Sequence, residues 1–119
     1  VEDYAKDVAS ATGAAQTHLQ SHSISNGIIK FDDVGTYAFE LNLASIDLSE
    51  IFNYLSGTFT GASYDGYAVA FKRGSDSYLF QNNEGAGNDL LILLSGSAGS
   101  LAGLTTDPQT ANANYLFIS

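Results

Sequence analysis

Oxygen-bearing side chains cluster between residues 82 and 89, in a stretch that reads NNEGAGND. Carboxylate and amide oxygens are the ligands that Ca²⁺ prefers, and neighbouring glycines allow the tight turns that bring backbone carbonyls inward. We therefore expect a calcium site formed from Asp76, Asn82, Glu84 and Asp89. Calcium needs six or more oxygens, so a second interpretation stays open, in which residues 82–88 are an ordinary hairpin loop and Asp89 caps a strand.

Two histidines, His18 and His22, are four residues apart. On a helix this spacing places both rings on one face, where they could bind a transition metal. No third ligand is evident near them in the sequence, and histidines near a helix C-terminus are more often solvated or interacting with the helix dipole. Both interpretations stay open.

Patterns that mark an enzyme are missing from the sequence. The serines of SGSAGS, including Ser97, lack the spacing of a nucleophile elbow. The adjacent carboxylates Asp32 and Asp33 would point to opposite sides of a strand, so they are better explained as turn formers. The chain also lacks a phosphate-binding glycine loop with lysine. We therefore expect a protein that is not an enzyme.

Composition limits the class of protein. The chain has 119 residues, enough for a single domain, which we place at residues 1–119. Four basic residues stand against thirteen acidic ones, and the formal net charge of −9 argues against nucleic acid and anionic membranes as partners. No apolar run reaches the roughly 20 residues of a membrane span. An acidic chain without cysteine or methionine, rich in small polar residues, favours a secreted bacterial protein.

The N-terminal segment predicts a helix over residues 2–20. Its apolar residues recur at helical spacing: Tyr4, Val8, Ala11, Ala15 and Leu19. Because this face is mostly alanine, we expect residues 1–22 to dock loosely or to be used in assembly.

A second, amphipathic helix is predicted over residues 48–56. Asp47 and Glu50 match a capping box at its start, and Gly57 can adopt the left-handed conformation that ends a helix. The apolar stripe of this helix consists of Leu48, Ile51, Phe52 and Leu55.

Two antiparallel hairpins are predicted, over residues 27–43 and 66–95. In the first, GIIKF and TYAFELNL are joined by DDVG; in the second, YAVAFK and SYLFQ are joined by RGSD. LLILLS then follows as a central strand, because it is apolar at every position from Leu90 to Leu94. The predicted fold is mainly β, of the α+β class, with hairpins packed against one short amphipathic helix. The predicted core comprises Tyr37, Phe39, Leu41, Ile51, Phe52, Leu55, Val69, Phe71, Tyr78, Phe80, Leu91 and Leu93.

The stretch from residue 67 to residue 105 resembles the C-terminal module of bacterial proteins exported by type I secretion, including S-layer and RTX-type surface proteins. The corresponding parts are Phe71, residues 74–78, the Asn-rich loop 82–89 and the aliphatic strand 90–96, followed by residues 101–104. Residues 84–91 are also similar to one copy of the nonapeptide of calcium-binding β-rolls, and the closing YLFIS resembles the end of such secretion signals. The resemblance implies export without a cleaved signal peptide, an extracellular location, and a structural or assembly role.

Together these patterns predict a secreted structural protein of the bacterial cell surface that self-associates, as an S-layer, matrix or filament-like subunit does. Its expected partners are other copies of itself, through strand edges or the alanine-rich helix, and, as a second candidate, cell-surface polysaccharide. Calcium is the only cofactor expected. The alternative is a small extracellular ligand- or glycan-binding module that uses exposed tyrosines as stacking platforms. The tyrosines considered for this role are Tyr4, Tyr54, Tyr64 and Tyr67.

Overall fold

The computed structural model describes residues 3–4, 7–60, 64, 66–82, 89–94, 104–106 and 116–118. The protein is mainly β with one short helix, as the sequence predicts. In chain order the elements are β1 (Asp3–Tyr4), β2 (Val8–Thr12), β3 (Ser21–Ser25), β4 (Ile28–Asp32), a 3₁₀ turn (Leu43–Ser45), α1 (Leu48–Thr58), β5 (Tyr67–Arg73), β6 (Asp76–Gln81), β7 (Leu90–Leu94), β8 (Leu104–Thr106) and β9 (Leu116–Ile118). Within the described part of the chain, no helix is long and apolar enough to cross a membrane.

Six strands form one mixed sheet in the order β2-β3-β4-β5-β6-β7. Neighbouring strands are antiparallel, except that β4 and β5 run parallel. β1 lies parallel to the start of β5, where Asp3 pairs with Tyr67. β8 and β9 form a separate antiparallel pair.

The core lies between α1 and one face of the sheet. The Tyr54 ring of α1 stands edge-to-face against Phe31 of β4, with 5.4 Å between ring centroids. Phe52 makes the same kind of contact with Phe80 of β6, at 5.8 Å. Because α1 reaches from β4 to β6, it covers the middle of the sheet. Burying one such large side chain stabilises the fold by about 1.5–3 kcal/mol.

Half of the predicted core residues are buried. These are Ile51, Leu55, Val69, Phe71, Tyr78 and Phe80. Leu41, Phe52 and Leu91 are half-buried against them. The prediction is wrong for Phe39, which is 81% exposed, and for Leu93, which is 50% exposed. Tyr37 is half-buried outside the core cluster.

The start of α1 differs from the predicted capping box. Asp47 occupies the N-cap position, but its side chain makes no capping hydrogen bond. Glu50 instead contacts the connection between β2 and β3, where its carboxylate accepts a hydrogen bond from the His18 backbone N–H at 2.6 Å. Gly57 also differs from its predicted role, because α1 continues through it to Thr58.

The hairpin at residues 27–43 does not form. β4 pairs instead with β3, through a two-residue turn at Asn26 and Gly27 whose φ angles are 53° and 78°. Positive φ at both positions is the signature of a type I′ turn, the commonest tight connection between antiparallel strands. The segment after β4 is held by Asp32, whose carboxylate accepts hydrogen bonds from the Ala38 and Phe39 N–H groups at 2.8 and 2.9 Å. These bonds draw the segment into a loop rather than a strand.

The predicted N-terminal helix is also wrong over the described residues. Residues 8–12 form β2, which pairs with β3 through Val8 and Ile24. The connection from β2 to β3 then crosses α1, where Gly13 lies against Tyr54 and the Ala14 N–H donates to Thr58 Oγ1 at 2.9 Å. A helix would require intrahelical bonds for backbone groups that here pair with a neighbouring strand.

The hairpin at residues 66–95 is confirmed. β5 and β6 are antiparallel and meet at a two-residue turn, with Arg73 opposite Asp76. Gly74 has φ of 65°, which suits the first position of a type II′ turn. β7 then pairs with β6, with Phe80 opposite Leu91. The prediction that β7 is central is wrong, because β7 ends the strand order and exposes three large apolar side chains.

Candidate functional sites: an aromatic groove and an apolar strand edge

A groove lies between the C-terminal end of α1 and strands β2 and β3. We call it the aromatic groove and define it by Asp7, His22, Phe59, Tyr64 and Tyr67. Its volume is about 340 Å³, and Val8 and Ile24 of the sheet also line it. The register places Val8 opposite Ile24 on the sheet face that α1 covers, so the groove continues the core outward.

Four aromatic rings form a continuous chain along this groove. The ring of His22 contacts Phe59, Phe59 contacts Tyr64, and Tyr64 contacts Tyr67. Centroid separations are 5.7, 5.7 and 5.2 Å, and the interplanar angles are 61°, 68° and 88°. These are edge-to-face contacts, which suit the ring quadrupoles and fix each ring against the next. Phe59 is buried, whereas Tyr64 and Tyr67 are half-buried.

His22 connects the groove to the core. Its Nδ1 atom lies 2.8 Å from the Tyr54 hydroxyl, and both side chains are buried. Burial lowers the pKa of the His22 imidazole, because the charged form would lose its hydration. Burial likewise raises the pKa of the Tyr54 hydroxyl. Both groups are therefore neutral near pH 7.

The charge of the groove comes from Asp7. It is the only acidic or basic side chain, histidine apart, among the described residues that line the groove. Its Oδ1 atom accepts a hydrogen bond from the Asn26 backbone N–H at 2.9 Å, which fixes the carboxylate beside the β3–β4 turn. The two threonines of the lining already have internal partners. Thr12 Oγ1 donates to the Gly35 carbonyl at 3.0 Å, and Thr58 Oγ1 accepts from the Ala14 N–H.

A larger hollow, of about 480 Å³, lies at the loop after β4 and is lined by Lys30, Glu40 and Lys72. Lys30 Nζ and Glu40 Oε1 are 3.8 Å apart, and both side chains are about half exposed. Exposed pairs of opposite charge are screened by water and contribute little binding energy. This hollow therefore offers a ligand weaker interactions than the smaller aromatic groove does.

The second candidate site is the outer side of β7. We call it the β7 edge and define it by Leu90, Ile92 and Leu93, which are 48%, 44% and 50% exposed. Among the strands that the structure describes, β7 pairs with β6 alone. An edge strand presents a row of backbone N–H and C=O groups, and natural sheets usually protect such edges with charged residues. The sequence of β7, LLILL, contains none.

The structure separates the residues predicted to bind calcium. Asp76 begins β6, while Asn82 follows the other end of the same strand, so about 20 Å of extended chain lies between them. Asp89 directly precedes β7, and the register of β6 and β7 places it at the same end as Asn82. The Asn82 side chain is buried and donates to the Tyr64 carbonyl at 2.8 Å. Glu84 lies outside the described residues.

The described residues contain no group of three or more His, Asp or Glu side chains arranged to hold a metal ion. The predicted metal pair is separated as well. His18 is exposed and its Nδ1 lies 3.0 Å from Glu50 Oε1, whereas His22 is buried against Tyr54. Calcium binding that involves residues 83–88 remains a prediction.

Other sequence predictions have mixed outcomes. Asp32, predicted to form the turn of the 27–43 hairpin, ends β4 instead, and its carboxylate holds the loop that follows. The N–H groups of Phe39 and Ala38 lower the pKa of its carboxyl. The prediction that Tyr54 is an exposed stacking platform is wrong, because Tyr54 is fully buried. The side chain of Tyr4 and the position of Ser97 lie outside the described residues.

Sequence reasoning missed two groove residues, Asp7 and Phe59, and considered His22 only as a metal ligand. Phe59 continues the stripe of α1, since it follows Ile51 and Leu55 at intervals of four. His22 alternates with Ile24 along β3, a pattern that the Asn26-Gly27 turn signal would have revealed.

Comparison of the chain with protein-family models, with curated proteins and with solved structures found no match in any of the three.

Proposed function

We propose that this protein is a non-enzymatic, secreted structural protein of the bacterial cell surface that self-associates through the β7 edge. The observation that carries the proposal is the exposure of Leu90, Ile92 and Leu93 on an uncharged strand at the end of the sheet. Two copies of an edge strand can pair antiparallel around a two-fold axis, so that each strand contacts the same strand of its partner. The pairing would satisfy backbone groups at the edge and place each of these side chains beside a side chain of the partner strand.

The size of β7 sets the expected strength of this association. β7 has five residues, and stable protein interfaces bury about 1,200–2,000 Å² in total, more than one short strand pair provides. Each copy also carries a formal charge of −9, which opposes close approach. We therefore expect weak, reversible association that increases with protein concentration.

Sedimentation velocity over a concentration series tests the proposal. We expect the wild-type protein to sediment faster as its concentration rises, and Ile92→Lys to weaken this self-association by about tenfold or more, because it replaces an aliphatic contact with the partner strand by a charged side chain. The matched control is Val34→Lys. Val34 is 49% exposed but lies in the loop after β4, so this variant should associate as the wild type does.

Calcium is a second variable in the same experiment. Asp89 directly precedes β7, so a cation bound there would order the start of the edge strand. A protein that stays monomeric at the highest concentration, with and without calcium, would rule out self-association. Equal association of Ile92→Lys and wild type would place the interface elsewhere.

A further inference from the structure

We infer that the aromatic groove is a binding site for a small organic cation, of the alkylammonium class. The groove combines two half-buried tyrosine rings, Tyr64 and Tyr67, with the carboxylate of Asp7. This inference does not depend on the β7 edge, since the groove lies at the other side of the sheet, beside β2 and β3.

Ring geometry favours a cation over a flat ligand. Tyr64 and Tyr67 are nearly perpendicular, at 88°, so their planes meet as a corner rather than forming one platform. A tetrahedral ammonium group can contact two ring planes at once, and attraction between a cation and a ring face is strongest where water is excluded. The buried Phe59 ring contacts Tyr64, so water is excluded from the part of the groove where these two rings meet.

Charge complementarity points to the same ligand class. Asp7 carries the only formal charge, at neutral pH, among the described residues that line the groove, because burial keeps His22 neutral. The chain as a whole has a formal charge of −9, so its field attracts cations toward the groove. An anionic ligand would meet a carboxylate without any lysine or arginine among these lining residues.

A sugar fits the groove less well. A pyranose stacks on one flat aromatic face and needs hydrogen-bonding partners for its hydroxyl groups. Thr12 Oγ1 already donates to the Gly35 carbonyl and Thr58 Oγ1 already accepts from the Ala14 N–H, so the two threonines of the lining have fewer hydrogen bonds to offer a sugar. The volume of about 340 Å³ is at the lower end of small-molecule sites, which suits a compact ligand.

The test uses three probes: choline, its neutral carbon isostere 3,3-dimethyl-1-butanol, and methyl glucoside. Each is titrated into the full chain while the tyrosine ring signals are followed by NMR. We expect choline to shift the signals of Tyr64 and Tyr67 with saturation in the millimolar range, and to bind more tightly than dimethylbutanol.

Two variants assign the binding to this groove. Tyr67→Ala should weaken choline binding by about 3- to 30-fold, the range of one cation and ring contact. Asp7→Asn retains an oxygen that can accept from Asn26 while it removes the charge, so it should weaken choline binding by roughly three- to tenfold and leave the fold intact. Phe39→Ala is the control, because Phe39 is exposed and lies outside the groove.

Several results would overturn the inference. These are equal binding of choline and dimethylbutanol, binding of methyl glucoside in preference to choline, no shift with any probe, or unchanged choline affinity in folded Asp7→Asn protein. Repeating the titration with the Ile92→Lys variant separates this site from self-association, because that variant retains every groove residue.

Discussion

The contact between His22 and Tyr54 joins the sheet to α1 through one buried hydrogen bond. A neutral imidazole and a neutral phenol can share this bond without leaving a charge in the core, whereas protonating His22 would place a cation between Tyr54 and Phe59. Acid pH should therefore destabilise the packing of the groove next to this pair.

The first prediction concerns the pH dependence of stability. Because burial lowers the pKa of His22 below its ordinary value of 6.5, the unfolded chain binds more protons than the folded chain just below that pH. The free energy of unfolding should therefore decrease as the pH falls from about 7.5 through 6.5 to 5.5. Urea unfolding across this interval measures the decrease, and His22→Gln should show less of it.

The comparison with His22→Gln isolates one residue. His18 is present in both proteins, and Asp32 and Glu50, whose pKa values are lowered, titrate in a more acid range. The difference in slope between the two proteins therefore reports on His22. An identical pH dependence in wild type and His22→Gln would show that burial of this histidine does not affect stability.

A second residue-scale prediction concerns Gly13. A Cβ atom at this position would overlap the Tyr54 ring and Thr58 Oγ1. Gly13→Ala should therefore lower the free energy of unfolding by about 1–3 kcal/mol, the usual cost of overpacking. Gly35→Ala is the matched control, because a Cβ there meets nothing within 4 Å. Denaturant unfolding of both variants decides the question, and equal stability would mean that the β2–β3 connection does not press on α1.

At the scale of elements, α1 and the β5–β6 hairpin could be predicted because several local signals agree. The stripe containing Ile51 and Leu55 has helical period, and Gly74 falls where a tight turn requires positive φ. Consistent local signals of this kind specify an element with little help from the rest of the chain.

β2, β3 and the loop after β4 could not be predicted as readily. Alanine-rich sequence from residue 8 to residue 15 satisfies helical spacing with side chains too small to enforce it, so pairing with β3 decides the outcome. The segment from Thr36 to Leu43 alternates as a strand does, but Asp32 binds the N–H groups of Ala38 and Phe39. Contacts of a single buried carboxylate with backbone six and seven residues further along leave no periodic signal in the sequence.

β7 shows an ambiguity that sequence patterns cannot resolve. A run that is apolar at every position fits a central strand covered on both faces, and it fits equally an edge strand that another chain will cover. The structure places the run at the edge, with Leu91 half-buried against the core and Ile92 exposed. The apolar character of β7 is explained if a second copy covers it.

At the scale of the whole molecule, the two candidate sites lie at opposite sides of the sheet. The aromatic groove adjoins β2 and β3, and the β7 edge ends the strand order. Ligand binding and assembly can therefore occur on the same copy. The sequence analysis considered both tyrosines of the groove, Tyr64 and Tyr67, as stacking platforms. The groove itself forms because α1 ends beside β3, and only the three-dimensional packing determines that arrangement.

The negative charge of the molecule has opposite effects on binding at the aromatic groove and on association at the β7 edge. A formal charge of −9 attracts a cationic ligand and repels a second copy. Salt at physiological concentration reduces such repulsion beyond about 8 Å, while the proposed apolar contact at the β7 edge would not depend on charge. Association is therefore best measured at physiological salt.

Amide hydrogen exchange at low and high protein concentration tests self-association through the β7 edge most directly. We expect exchange over Leu90–Leu94 to slow as concentration rises, because pairing with a second copy protects the backbone of β7. The opposite edge strand, β2, serves as the internal control and should not change. Exchange in β7 that is independent of concentration, or protection that appears at β2 instead, would contradict assembly through this edge.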